Sequence, residues 1–129
     1  MAEVVLDASA VIALLRSEKG ADVVSSALPG AAISAVNLSE IATWLSDAGT
    51  EAKKIRLTLD GLHLQCDAFD EESAFSAADM RKATRGKGLS FGDRACLALA
   101  KRLALPALTA DRSWAELDIG VDVRLIRGQ

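Results

Sequence analysis

The sequence predicts an α/β domain built on a central parallel sheet of about four or five strands, with helices on both faces. Three observations point there. Short apolar runs of strand length alternate along the chain with longer segments of helical periodicity. The gaps between most of these runs hold about a dozen residues or more, enough for crossover helices and too many for tight hairpins. The first three runs are also continuously apolar, without the alternation of a sheet that is wet on one side.

In chain order, Val4-Val5-Leu6 is the first strand, followed by helical segments over 8–16 and 20–28. Ala31-Ala32-Ile33 is the second, followed by helices over 36–48 and 51–60. Leu62 to Cys66 is a weaker strand candidate, and helices over 71–85 and 91–104 precede the strand Pro106-Ala107-Leu108-Thr109 and a last run from Val121 to Ile126. In the segment 91–104, Ala95, Leu99 and Leu103 recur at four-residue steps with Cys96 and Ala100 beside them, which marks a central, mostly buried helix. Lys101 and Arg102 fall near its C-terminus, where cations suit the helix dipole. Gly86 and Gly88 break the helical pattern and mark a loop into this helix. No internal repeat or linker is visible, so residues 1–129 read as a single domain.

Size and composition suit that reading. Surface scaling for 13.5 kDa gives ~6,500 Å² folded against ~19,600 Å² extended, so a sizeable core forms without staples. Only five aromatics occur, so the core must come from small and aliphatic side chains on closely packed elements. The 15 basic and 18 acidic side chains give a net charge of -3, which excludes a nucleic-acid binder relying on bulk charge alone. The N-terminal stretch lacks a basic leader region and is cut by Asp7, and no uncharged stretch has membrane-spanning character, so a cytoplasmic protein is expected. Cys66 and Cys96 make neither a metal pair nor a disulfide framework and read as reduced core residues. His63, the only histidine, falls in the weak strand candidate and reads as structural.

Four carboxylates stand where elements meet. Asp7 follows the first strand and Asp111 the fourth, in Thr109-Ala-Asp111. Glu40 closes Asn37-Leu-Ser-Glu40 at the opening of the helix after strand two, and Asp93 closes Ser90-Phe-Gly-Asp93 at the opening of the central helix. Each has a local explanation: the first two as N-caps, the others as the acid of a capping box. Capping does not explain their joint placement. In an open parallel sheet the C-terminal strand ends share one edge, where ligands bind at the topological switch point, and these acids would converge there.

Such a cluster needs a counter-charge. Two carboxylates ~5 Å apart repel by ~3 kcal/mol at an effective dielectric of 20. Hard divalent cations relieve that repulsion, and an all-oxygen site suits Mg²⁺ or Mn²⁺ rather than Zn²⁺. Acids holding such ions without a histidine base point to phosphoryl transfer.

With Asp7-Ala-Ser9, Asn37-Leu-Ser-Glu40, Ser90-Phe-Gly-Asp93 and Thr109-Ala-Asp111 in order, the chain resembles PIN-domain ribonucleases of the VapC toxin type over essentially its whole length. The resemblance implies a PIN-like three-layer fold and a Mg²⁺-dependent endoribonuclease, the toxin of a bacterial type II toxin–antitoxin pair that inhibits translation by cutting structured tRNA or rRNA. It implies Asp7 and Asp93 as the main metal ligands, with Asp111 and Glu40 completing the site directly or through water. Ser9, Asn37 and Thr109 would orient the acids by hydrogen bonding. Asp118 is the nearest candidate for an extra acid, at a loose spacing. A homodimer and a VapB-like antitoxin partner are further implications. Trp44 and Leu45 lie beside Ile41 on the helix after Glu40, where core packing and an antitoxin-receiving surface are both open readings.

Arg85, Lys87 and Arg94, with Arg81 and Lys82 before them and Arg112 beside Asp111, form the local basic patch that RNA binding needs. Alternatively, Arg81, Lys82 and Arg85 complement the end of a helix begun by Glu71 and Glu72. The Gly86-Lys87-Gly88 loop lacks P-loop spacing. A phosphoacceptor domain would want an acid at Ala8, and a haloacid-dehalogenase-type phosphatase an Asp at Ser9. A PIN-like module that binds RNA or a partner without catalysis is the remaining alternative.

Overall fold

A computed structural model describes residues 1–128. Five parallel strands form one sheet in the order β3-β2-β1-β4-β5. The strands are β1 (Val4–Leu6), β2 (Ala31–Ser34), β3 (Gln65–Asp67), β4 (Ala107–Thr109) and β5 (Val123–Leu125). Between them run α1 (Ala8–Leu15), α2 (Ala21–Ala27), α3 (Ala35–Asp47), α4 (Ala52–Asp60), α5 (Glu71–Thr84) and α6 (Phe91–Leu103). Short 3-10 turns at Leu28–Gly30 and Arg112–Glu116 complete the chain.

The continuous apolar strands are explained by burial on both faces. Val4, Leu6, Ala31, Ile33 and Leu108 point into one core with residues of α1 to α4. Their alternates Val5, Ala32 and Ala107 point into a second core with α5, α6 and Trp114. The three layers therefore follow from a pleat that sends successive side chains to opposite faces. Small residues decide how closely the second layer approaches. Gly92 and every residue from Ala95 to Ala100 of α6 are buried, which makes it the central helix the periodicity predicts.

Two strand boundaries differ from expectation. The segment Leu62–Cys66 is largely not a strand: Leu62 and His63 donate back to Leu59 and Asp60 in a turn, and His63 has a left-handed φ of 54°. Pairing with β2 starts only at Gln65. The apolar character of Leu62 and Leu64 marks packing against the first core instead. Likewise only Val123–Leu125 of the last run pairs, while Val121 and Ile126 pack into the cores. Cys96 is buried as expected, but Cys66 is exposed, because it lies on the edge strand β3. No helix of the described residues is long and apolar enough to cross a membrane.

The sheet order places a topological switch at β1. From β1 the chain winds outward through β2 to β3, then returns to lay β4 on the other side. The β1–β4 pairing continues one step past the strand, with the Asp7 amide donating to the Leu108 carbonyl at 3.3 Å. Asp7 thus comes alongside Thr109, a hundred residues away in sequence, at the mouth of the switch.

Candidate active site at the carboxyl edge of the sheet

Asp7 is the innermost acid, only 3% exposed. It caps α1 through the Ala10 amide at 2.8 Å, and it also accepts from the hydroxyls of Ser9, at 2.8 and 2.9 Å, and Thr109, at 2.6 Å. Ser9 accepts from the Ala110 amide and Thr109 from the Asp111 amide, so one network spans β1, α1 and the segment after β4. Burial nevertheless wins over these hydrogen bonds and pushes the Asp7 carboxyl up to about 6, with Asp93 adding repulsion.

Asp93 sits on the first turn of α6 in a reciprocal capping box, its amide donating to the Ser90 hydroxyl and the Ser90 amide to its carboxylate. Burial also raises its carboxyl, more than Ser90 lowers it, with the Asp111 charge adding to the rise. Asp111 caps the 3-10 turn and accepts from the Ser113 amide and hydroxyl through one oxygen.

Glu40 departs from the expected capping box. α3 starts earlier than its apolar pattern suggests, with Ser34 as N-cap donating no charge but accepting from the Val36 amide, so Glu40 lies in the second turn. No capping role accounts for it. Asn37 instead holds its carboxylate, donating to Glu40 at 2.8 Å and to the Gly92 carbonyl at 2.9 Å. Asn37 is therefore a strut that ties α3 to the first turn of α6. A Cβ added at Gly92 would fall on the Glu40 carboxylate, so only glycine leaves that carboxylate where it is.

The acids act on one another and on a shared neighbour. The Cys96 thiol is pushed well above its usual value by burial, and the charges of Asp7, Asp93 and Glu40 add to the rise. Asp111 joins through Asp93. Among the described residues no three acids, histidines or cysteines stand close enough to grip one ion together. Glu40, Asp93 and Asp111 each accept through one carboxylate oxygen, and the other accepts from no protein group among the described residues. The donor chemistry thus fits a hard, partly hydrated divalent ion held by two carboxylates, with the others reached through water.

The remaining candidates separate. Arg85, Lys87 and Arg112 are exposed, the first two flanking Gly86 ahead of α6. Arg94 is half-buried, donates to the Ala77 carbonyl at 2.9 Å and lies over the Phe91 ring, so it braces α6 against α5. Asp118 lines a shallow cleft with Lys101, two turns or more along α6 from Asp93. His63 is exposed on the α4–β3 turn. Gly92 and Ser113 escaped sequence reasoning. Ser113 was readable as the donor to an Asp111 N-cap two residues before it, whereas Gly92 gains its meaning only from α3 lying across it.

The sign of the Asp7 shift has a consequence for stability. The folded state binds this proton up to about pH 6, the unfolded chain only up to 3.8. Metal-free protein should therefore lose stability as pH rises from about 4 to 6, by about 3 kcal/mol at 1.36 kcal/mol per unit. Urea unfolding in EDTA at pH 4.5 and 7 should show that slope, and Asp7→Asn should flatten it.

The PIN domain family model matches residues 4–120. No curated protein matches in sequence. Among solved structures, a DNA-bound VapBC from Salmonella typhimurium is similar at 15% identity and a TM-score of 0.73, covering 98% of this chain and 100% of that one. A toxin–antitoxin complex from Klebsiella pneumoniae is similar at 21% identity and 0.73, covering 92% and 95%. FitAcB from Neisseria gonorrhoeae is similar at 24% and 0.68, covering 93% and 95%. With the family model spanning all four acids and the fold shared with these chains, the protein belongs to the PIN-domain family.

Proposed function

We propose that this protein is a divalent-metal-dependent endoribonuclease, the toxin of a VapBC-type toxin–antitoxin module acting on structured RNA in the cytoplasm to inhibit translation. The observation that carries this reading is the placement of Asp7, Asp93 and Asp111 at the starts of helical segments on the carboxyl edge of the sheet, with Glu40 tied to the first turn of α6 through Asn37; Asp7 is buried, Asp93 half-buried, and Glu40 and Asp111 exposed. Membership of a family of nucleases supports the chemistry. That similar folds come from VapBC and other toxin–antitoxin complexes supports a VapB-like antitoxin partner and, with it, the toxin role. A homodimer belongs to the same reading.

Asp7 and Asp93 are the residues to hold Mg²⁺, or Mn²⁺ in its place. A bound divalent ion would supply Lewis-acid stabilisation of charge on the phosphodiester and its leaving oxygen. The protein does the rest. Ser9, Thr109 and the Ala10 amide orient the Asp7 carboxylate, and the Ser90 amide orients that of Asp93. Glu40 or Asp111, each anchored through one oxygen, orients the attacking water with the other and accepts its proton as the water oxygen bonds phosphorus and the ribose oxygen leaves. Arg85, Lys87 and Arg112 supply the cations that offset the acidic surface for the RNA backbone.

Three outcomes test this. Asp7→Asn and Asp93→Asn should each lower Mg²⁺-dependent RNA cleavage by more than the ~10–100-fold that loss of an outer hydrogen-bond partner costs; full activity in either refutes the assignment. Gly92→Ala should fold, helped by ~1 kcal/mol of helix propensity, yet lose up to about 10²-fold in turnover as Glu40 is displaced. Neutralising Arg85 and Lys87 together should flatten the salt dependence of single-strand RNA binding by about 1.4 in log–log slope, at roughly 0.7 per charge.

A further inference from the structure

The acidic site has a support that lies outside it. Thr109 donates to the Asp7 carboxylate at 2.6 Å and accepts from the Asp111 amide at 3.0 Å, so the placement of two acids passes through this one residue. Yet Thr109 lies past the end of the β1–β4 register, which stops at Leu6 and Leu108. Its strand partner is Leu125 of β5, and its carbonyl accepts from the Ile126 amide at 2.9 Å. The backbone that carries Thr109 and Asp111 therefore leans on β5.

By itself β5 is a weak support. It is a three-residue edge strand with Arg124 exposed, and elements with few buried contacts open locally at less than the free energy of global unfolding. The residues that follow it make up the difference. Ile126 is 3% exposed and packs in the first core. It is seated on Gly20, at the corner between α1 and α2, where an added Cβ would meet the Ile126 Cγ1 and carbonyl oxygen at 2.8 Å. Only glycine allows that approach, at a left-handed φ of 97°. One residue on, Arg127 Nη1 donates to the Lys19 carbonyl at 3.0 Å and faces the Glu18 carboxylate at 3.6 Å. Glu18 is in turn held by Arg16 at 3.3 Å. Three consecutive residues of the corner, Glu18, Lys19 and Gly20, thus each contact the segment after β5.

We propose that Ile126 and Arg127 are positioning residues of the acidic site. Clasped on the α1–α2 corner, they fasten β5 and, through the Ile126 amide, the segment from Thr109 to Asp111, so that unfastening them releases Thr109 and Asp111 while the rest of the sheet stays folded. The proposal rests on the reading of the acids as a metal centre, and adds an element that sets their affinity for the ion.

The first readout is amide hydrogen exchange by NMR without metal. In the wild type the amides of Ala110, Asp111 and Ile126 should exchange faster than those of Ala32 and Ile33 in β2, which report global unfolding. Ile126→Val should speed the first three by one common factor of about 2- to 10-fold, the ordinary cost of a buried methyl group. Arg127→Gln should also speed them together. The second readout is Mn²⁺ affinity by calorimetric titration. Ile126→Pro removes the donor to Thr109 and should weaken Mn²⁺ binding about 10- to 100-fold, as expected when a group that orients a metal-binding side chain is lost. Ile126→Val keeps the amide and most of the seat and should bind Mn²⁺ as the wild type does.

Thermal melts establish that each variant is folded. Where Ile126→Pro does not fold, Ile126→Ala takes its place, and the exchange series needs neither. The proposal is overturned if the Ala110 and Asp111 amides ignore Ile126→Val and Arg127→Gln while the amide at position 126 responds, or if they exchange only together with β2. A folded Ile126→Pro that binds Mn²⁺ as tightly as the wild type also overturns it, and keeps the metal centre. A wild type that binds no Mn²⁺, with the three amides still moving together, refutes the metal centre and keeps the clasp.

Discussion

An ionisable carboxyl buried at the junction of two parallel strands is the constraint on which the rest of the site depends. Removing Asp7 from water penalises its charged form, and the hydroxyls of Ser9 and Thr109 and the Ala10 amide offset only part of that cost. The same network ties β1 to the segment after β4, so the hydrogen bonds that hold the acid also close the switch point. A carboxyl in this position is poised between two partners, a proton or a cation. The surrounding acids tilt the balance, since each one that approaches raises the cost of leaving the group charged and alone.

The second requirement is that α3 and α6, which belong to opposite layers, meet over that junction. Asn37 makes the connection with one amide group, bonding a side chain of its own helix and a carbonyl of the other. Its buried Oδ1 has no partner among the described residues, a cost accepted in the one place where the layers must be held in register. Gly92 makes the approach sterically feasible. Together they convert Glu40, a surface acid on the second turn of a helix, into a member of the cluster.

Capping and the proposed chemistry share residues here. Asp7, Asp93 and Asp111 each satisfy orphan amides at the start of a helical segment, and each does so at the carboxyl edge of the sheet. A parallel α/β sheet directs helix N-termini to that edge, so residues favoured locally as caps arrive together for topological reasons. The two explanations of these acids were never in competition, except at Glu40, where only the site remains.

The apolar runs, their spacing and the order of the four acid motifs were legible because strand burial and capping are short-range: a residue three positions away decides whether Asp93 closes a box with Ser90, and two faces of burial suppress alternation in Val4–Leu6. What escaped depends on residues far apart in sequence. Leu62 and Leu64 look like strand but serve packing, since pairing with β2 starts only at Gln65, opposite Ala32. Cys66 looks like core but faces solvent on the sheet's edge. Arg94 looks like one more cation of the basic patch, yet Ala77 and Phe91 claim it. The sequence by itself determined which acids exist and that they lie at element ends. Only the tertiary structure decided which is desolvated, which are exposed and what holds each in place, because desolvation and convergence are sums over neighbours that the strand order alone brings together.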